Sequence, residues 1–139
     1  MMNAEQKAYA LARAAYQLAK DEIKRYEQGF IERETIRNKD GSIPEHIWAL
    51  DTDFDEDYFD GLCDKLYAEE GFRALCDAET EAYKNLQAAE DKLIDFSLSL
   101  PMPADVRKTL SEHRKDYKVR DKLIDLAFRL DTRTVKARV

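Results

Sequence analysis

The sequence predicts an all-α protein, built as an elongated antiparallel helical hairpin or a three-helix bundle with coiled-coil-like packing. The 139 residues include only four glycines and three prolines, so little of the chain is suited to irregular structure. Charged residues make up 37% and apolar residues 44%, which is typical of helices with one apolar and one solvated face. Two long segments carry apolar side chains at alternating steps of three and four residues, the heptad spacing of packed helices.

The first of these segments predicts a helix over residues 4–33. Asn3 and Gln6 form a capping-box pattern at its start. An unbroken heptad seam then follows, consisting of Tyr9, Ala12, Tyr16, Ala19, Ile23, Tyr26 and Phe30. The apolar face is wider in the first half of the helix, where it also includes Ala8, Leu11, Ala15 and Leu18.

Residues 37–54 combine turn chemistry with a short helical pattern. The run from Asn38 to Ser42 includes Gly41, which can adopt a positive φ angle. Ser42 and Glu45 have the spacing of a second capping box, which favours a short helix over residues 43–50. A brief hairpin around Asp40-Gly41 is the alternative.

A second long helix is predicted over residues 55–99, bent or broken near Gly71, with Thr52 or Asp53 as its N-cap. Its seam consists of Phe72, Leu75, Glu79, Ala82, Leu86, Ala89, Leu93, Phe96 and Leu100. Both seams alternate large side chains with alanine, so two such helices can pack a large residue against a small one in each layer. We therefore expect Leu86 and Leu93 to be buried.

A third helix is predicted over residues 104–130, after a stiff connector that contains Pro101 and Pro103. Its apolar stripe is interrupted near His113 and Tyr117. We expect residues 1–131 to form a single helical domain and residues 132–139 to form a flexible basic tail.

Several features favour a cytoplasmic protein. No segment approaches the ~20 consecutive apolar residues of a membrane span, and residues 1–15 lack the apolar stretch of a secretion signal. Cys63 and Cys76 would lie ~20 Å apart on one helix, too far for a disulfide. We therefore expect both cysteines to be reduced and buried.

The net charge of −6 is unevenly distributed. Residues 37–81 carry four basic and fourteen acidic side chains, whereas residues 82–139 carry thirteen basic and nine acidic ones. The most concentrated part, here called the acidic cluster, consists of Asp51, Asp53, Asp55, Glu56, Asp57 and Asp60. We predict that the acidic cluster docks onto a basic protein partner. Solubility with helix capping, or an internal match to the basic third segment, are the alternatives.

The sequence contains no recognisable metal, cofactor or catalytic motif. An EF-hand loop counted from Asp51 would need glycine and glutamate where Glu56 and Leu62 stand. His46 and His113 lack the spacing of metal ligands, and no glycine-rich phosphate loop is present. We therefore predict no catalytic residues, no metal site and no cofactor. The third segment interleaves both signs of charge, so nucleic-acid binding is not expected.

One enzymatic alternative remains. Asp53 with Glu56, and Asp57 with Asp60, are carboxylates spaced three apart, and such pairs on one helix face can share a magnesium ion. The alternative function is therefore a magnesium-dependent all-α nucleotide pyrophosphohydrolase that uses the acidic helix faces.

The first seam contains three tyrosines, Tyr9, Tyr16 and Tyr26. A buried tyrosine ring needs a wet or hydrogen-bonded hydroxyl, so this seam suits a bundle edge or a subunit interface. Core packing is the other interpretation. The leading prediction is a non-enzymatic protein–protein interaction module, a small acidic helical adaptor, scaffold or inhibitor that self-associates.

Overall fold

The computed structural model describes residues 2–51 and 55–137, with side chains described as far as Arg129. Within these residues all regular secondary structure is helical. The α-helices are α1 (Ala4–Arg33), α2 (Glu56–Ala68), α3 (Glu70–Leu98), α4 (Ala104–Glu112) and α5 (Tyr117–Ala137), and a 3₁₀ helix spans Ile47–Ala49. Helix packing is mainly between α1 and α3, and the predicted all-α hairpin or bundle is confirmed.

The chain forms two compact units. Unit 1 consists of Met1–Ala14 and Tyr83–Val139, and unit 2 consists of Ala15–Ala82. The first residues of α1 and the second half of α3 belong to unit 1, and the remainder of both helices belongs to unit 2.

The core of unit 1 contains apolar side chains from α3 and α5. The buried ones are Leu86, Ala89, Leu93, Ile94, Leu123 and Ala127, so the predicted burial of Leu86 and Leu93 is confirmed. Two buried polar side chains donate hydrogen bonds to carbonyls of α5. Gln6 Nε2 lies 3.0 Å from the oxygen of Ala127, and Ser97 Oγ lies 2.6 Å from that of Leu123. These bonds satisfy polar groups that would otherwise destabilise the core.

The core of unit 2 joins the end of α1 to α2, to the start of α3 and to the segment that precedes α2. Its buried members are Phe30, Ile31, Ile36, Ile47, Leu50, Leu66 and Phe72. Ile23, Tyr26, Phe59 and the two cysteines are partly buried against it. The segment between α1 and α2 is therefore anchored by Ile36, Ile47 and Leu50.

Backbone hydrogen bonds define both ends of α1, which has the predicted bounds. At the start, the backbone N–H of Asn3 donates to Gln6 Oε1 and that of Gln6 donates to Asn3 Oδ1, each at 2.8 Å. At the end, Thr35 has a positive φ of 54°, and the N–H of Ile36 donates to the carbonyl of Ile31 at 2.9 Å. This is a Schellman motif, which normally places glycine where Thr35 stands.

The predicted second helix is broken near Gly71, as predicted, and forms the two helices α2 and α3. The break lies at Glu69, whose backbone is extended with ψ 125°, and Gly71 lies inside the first turn of α3. A Cβ atom at residue 71 would approach the Tyr26 ring to 3.0 Å, so glycine here permits close packing against α1. The N-cap is Asp55, whose carboxylate accepts from the N–H of Tyr58 at 3.1 Å, and the predicted caps Thr52 and Asp53 lie outside the described residues.

The predicted third helix is also divided, at residues 113–116, which is where its apolar stripe is interrupted. Asp116 starts the second part, because its Oδ1 accepts from the N–H groups of Lys118 and Val119 at 3.0 and 3.3 Å. The helix then continues to Ala137 instead of ending near residue 130, so residues 132–137 of the predicted tail are helical. No glycine or proline follows Pro103 to stop it.

Two further expectations need correction. Leu11 and Leu18, which widen the apolar face of α1, are 72% and 58% exposed. Cys63 and Cys76 lie on different helices, α2 and α3, so the separation expected along one helix does not apply; both are free thiols. Among the residues that the structure describes, no helix is long and apolar enough to cross a membrane.

Candidate interaction surface

The surface of unit 2 presents the chain's single tryptophan to solvent. Trp48 lies in the 3₁₀ helix between two anchored residues, Ile47 and Leu50, which are 1% and 8% exposed. The N–H of Ile47 also donates to the Glu27 carboxylate of α1. Because Ile47 and Leu50 point into the core, Trp48 is turned outward and is 69% exposed. Its ring packs edge-on against Phe59 of α2, with centroids 5.2 Å apart.

A turn at residues 38–42 supports this segment. The N–H of Gly41 donates to the carbonyl of Asn38 and that of Asn38 donates to the carbonyl of Ser42, each at 2.9 Å. Gly41 has the positive φ that its sequence context predicts, 85°. Asn38 Oδ1 accepts from the N–H of Asp51 at 2.8 Å, which ties the turn to the start of the acidic cluster.

The predicted capping box at Ser42 and Glu45 does not form. The N–H of Ser42 donates to Asp40 Oδ1 at 2.9 Å, and the Ser42 hydroxyl donates to the same oxygen. These bonds hold the pKa of Asp40 below its ordinary value, with the hydroxyl contributing most. Ser42 is therefore used by the turn, and helical structure is confined to Ile47–Ala49. The alternative hairpin does not form either, because no β-strand flanks the turn among the described residues 36–51.

The acidic cluster lies next to Trp48. The contact between Trp48 and Phe59 places the 3₁₀ helix against the start of α2. The N-cap and first turns of α2 carry four acidic side chains, Asp55, Glu56, Asp57 and Asp60. All four are exposed, as is Asp51, whereas Asp53 lies outside the described residues. None of the four on α2 forms an ion pair within the part of the chain that the structure describes. Tyr58, 49% exposed, adds a second aromatic ring to this surface.

Unit 2 as a whole is strongly negative, with nineteen acidic and eight basic residues in its sequence. Two of the basic side chains are already paired, since Lys65 Nζ lies 2.7 Å from Glu34 Oε2 and Arg33 donates to Glu69. The exposed tryptophan and the acidic cluster therefore lie in a unit with a large excess of negative charge.

The tyrosine seam makes contacts within the chain. In unit 1, the Tyr9 ring packs against Phe128 with centroids 6.0 Å apart. In unit 2, Tyr26 packs against Phe72 at 5.8 Å, and Tyr16 lies under Lys20 Nζ at 4.7 Å. All three tyrosines are half-buried. Their role in a subunit interface stays a prediction.

Tyr26 also belongs to a polar network at the break between α2 and α3. Its hydroxyl donates to Glu69 Oε1 at 2.6 Å, and Arg33 donates to Glu69 Oε2. The bonds from Arg33 and then Tyr26 hold the pKa of Glu69 below its ordinary value. The bond to Glu69, followed by burial, raises the pKa of Tyr26. This network holds Glu69 in place at the break and ties it to α1.

The carboxylates in a groove of unit 1 are paired with arginines. An open groove of about 650 Å³ in unit 1 contains Glu90, Asp91 and Asp95. Two arginines pair with them: Arg120 lies 2.9 Å from Glu90 and 3.0 Å from Asp91, and Arg114 lies 2.8 Å from Asp95. Within the described residues, no group of three His, Cys, Asp or Glu side chains could hold a metal ion. Burial raises the pKa of Cys63 and Cys76, which makes them poor nucleophiles.

Comparisons of the chain with protein-family models, with curated proteins and with solved structures give no match. The acidic cluster was predicted from the sequence, whereas a role for the aromatic residues Trp48, Tyr58 and Phe59 was not. The sequence does contain an indication of Trp48, because a large aromatic residue in a short segment rich in turn-forming residues is a candidate for a functional surface residue.

Proposed function

We propose that this protein is a non-enzymatic interaction module that binds a basic protein partner through Trp48 and the acidic cluster. The proposal is carried by the exposure of Trp48, 69%, within a strongly negative unit. Isolated surface apolar residues are ordinary, but a tryptophan held outward by buried neighbours and packed edge-on against Phe59 is a candidate anchor. The cytoplasm is the proposed compartment, on the basis of cysteine usage.

The chemistry of this surface specifies the partner. A lysine or arginine can stack on the free part of the Trp48 ring as a cation–π pair, and an arginine does so more often. Neighbouring carboxylates attract the same cation over a longer range and raise the association rate. The surface therefore fits an exposed partner segment that contains arginine or lysine, and it disfavours nucleic acid because of like charge.

Capture of partners from native lysate, at low and high salt, tests this proposal. Two altered proteins are compared with the wild type, Trp48→Ala and the double change Asp55→Asn with Asp57→Asn. Asparagine caps helices as well as aspartate does, so α2 keeps its N-cap in the double variant. A matched control, Asp105→Asn with Glu112→Gln, removes the same charge from exposed positions of α4.

The expected result is a partner that the wild type and the α4 control retain at low salt. High salt should weaken this binding because it screens exposed charges beyond ~8 Å at physiological ionic strength and over still shorter distances above it. Trp48→Ala should bind less well at both salt concentrations, whereas the double variant should bind less well mainly at low salt, where the charges that it lacks are not screened. Partners that bind all four proteins equally at both salt concentrations would show that this surface is not the docking site.

A further inference from the structure

A second row of apolar side chains runs along α1 and faces solvent. Its members are Ala4, Ala8, Leu11, Ala15 and Leu18, here called the exposed row, and every one of them is exposed. They recur at steps of four, three, four and three residues, the spacing of one helix face. All lie on one uninterrupted helix, so helix geometry alone places Leu11 and Leu18 about 10 Å apart.

We propose that the exposed row is a self-association surface, and that it pairs with the same row of a second copy in the antiparallel direction. The row is apolar over two heptads and is bordered by Ala12, Ala14 and Ala19, which allow a second helix to approach closely. A second copy is the occupant that fits, because the row is complementary to itself in one register.

In that register a two-fold axis crosses α1 near residue 13. Each Leu11 then lies opposite Ala15 of the second copy, and each Leu18 lies opposite Ala8, so each of these four layers combines one large and one small side chain. Ala4, at the end of the row, lies opposite Glu22. A parallel pair would instead place leucine against leucine and alanine against alanine in successive layers. The side-chain sizes therefore favour the antiparallel arrangement.

The flanking charges favour the same arrangement. Lys7 and Asp21 occupy equivalent heptad positions beside the exposed row, two heptads apart. Antiparallel pairing brings Lys7 of one copy near Asp21 of the other, twice by symmetry. In a parallel pair these two positions lie on opposite sides of the seam, so their charges do not meet. Asp21 is already oriented on the helix surface by Gln17, whose Nε2 donates to its carboxylate at 3.1 Å.

Sedimentation velocity of the full chain over a range of concentrations tests the surface. The wild type should be dimeric at high concentration, and Leu11→Gln or Leu18→Gln should raise the dissociation constant at least about tenfold, since burial of a leucine contributes that much to binding. Val106→Gln, at an exposed apolar position of α4, is the matched control and should dimerise like the wild type. Circular dichroism checks that each variant keeps its helices.

Charge exchange tests the direction. Lys7→Glu alone should weaken the dimer, because it places like charges together in the antiparallel pair. Adding Asp21→Lys should restore it, whereas in a parallel pair neither the single nor the double change would alter a contact between residues 7 and 21. A wild type that stays monomeric, a dimer unaffected by both leucine changes, or a double variant without rescue would overturn the proposal. It does not depend on the acidic surface, so Trp48→Ala should dimerise normally.

Discussion

At the scale of single residues, the backbone of unit 2 contains two positive φ angles with opposite consequences. Gly41 adopts φ 85° in the turn that supports Trp48, and glycine does so without steric cost. Thr35 adopts φ 54° at the end of α1, which is unfavourable for a β-branched residue. The burial of Ile31 and Ile36, both 0% exposed, holds Thr35 in this conformation. The Schellman motif is thus formed by packing and not by its turn residue.

This contrast leads to a stability prediction. Thr35→Gly should raise the free energy of unfolding by about 0.5–1 kcal/mol, because relief of the strained φ outweighs the added flexibility of the unfolded chain. Gly41→Ala should lower it by about 1 kcal/mol, since alanine resists a positive φ. Gly61→Ala is the control. It lies inside α2 with nothing within 4 Å of the added Cβ, and should stabilise by about 0.5–1 kcal/mol. Urea unfolding measures all three, and destabilisation by Thr35→Gly would contradict the account.

At the scale of helices, the network of Tyr26, Arg33 and Glu69 fixes the break between α2 and α3. Glu69 has an extended backbone, and its carboxylate accepts bonds from two side chains of α1. Gly71 allows the Tyr26 ring to lie close against the first turn of α3. The start of α3 is therefore determined by contacts with α1 and not by a helix-breaking residue.

The stability that Glu69 provides should depend on pH. Its pKa is lowered in the folded protein, so its contribution is present above the ordinary glutamate pKa and is lost as the pH falls through the lower, folded value. Glu69→Gln should therefore be clearly less stable than the wild type at neutral pH, and the difference should shrink toward pH ~3. Glu70→Gln, which removes an adjacent exposed carboxylate, controls for net charge. Urea unfolding at several pH values makes the comparison, and a difference that stays constant with pH would exclude this role.

At the scale of the whole molecule, each compact unit has its own set of buried side chains, while α1 and α3 contribute to both units as continuous helices. Melting one unit would leave parts of two long helices without their packing partners. Isolated helical segments of this length are marginally stable in water. We therefore expect the two units to unfold together, in agreement with the predicted single domain.

Leu93→Ala tests this expectation, because Leu93 is fully buried in unit 1 while Trp48 reports on unit 2. The change should cost ~2–5 kcal/mol. It should shift the denaturant transition of Trp48 fluorescence as much as that of far-ultraviolet circular dichroism. Val106→Ala, at a position 43% exposed on α4, is the matched control and should leave both transitions nearly unchanged. A Trp48 transition that does not respond to Leu93→Ala would mean that the units unfold separately.

The sequence by itself determined the features that depend on near neighbours in the chain. The bounds of α1 follow from the capping box of Asn3 and Gln6 and from an uninterrupted heptad pattern. The positive φ of Gly41 and the burial of Leu86 and Leu93 follow from turn chemistry and from periodicity. The members of the acidic cluster were also found from the sequence, since concentration of charge is visible without a structure.

Only the tertiary structure decided the features that depend on distant contacts. The break in the second helix lies at Glu69, whose side chain accepts hydrogen bonds from Tyr26 and Arg33 of α1. These two residues are far from Glu69 in the sequence. Trp48 faces outward because Ile47 and Leu50 pack into the core of unit 2. The heptad periodicity identifies a wide apolar face on α1, but it does not show which of the two rows of side chains on that face is buried by the rest of the protein. Packing buries Phe30 and half-buries the rest of its row, and it leaves Leu11 and Leu18 exposed.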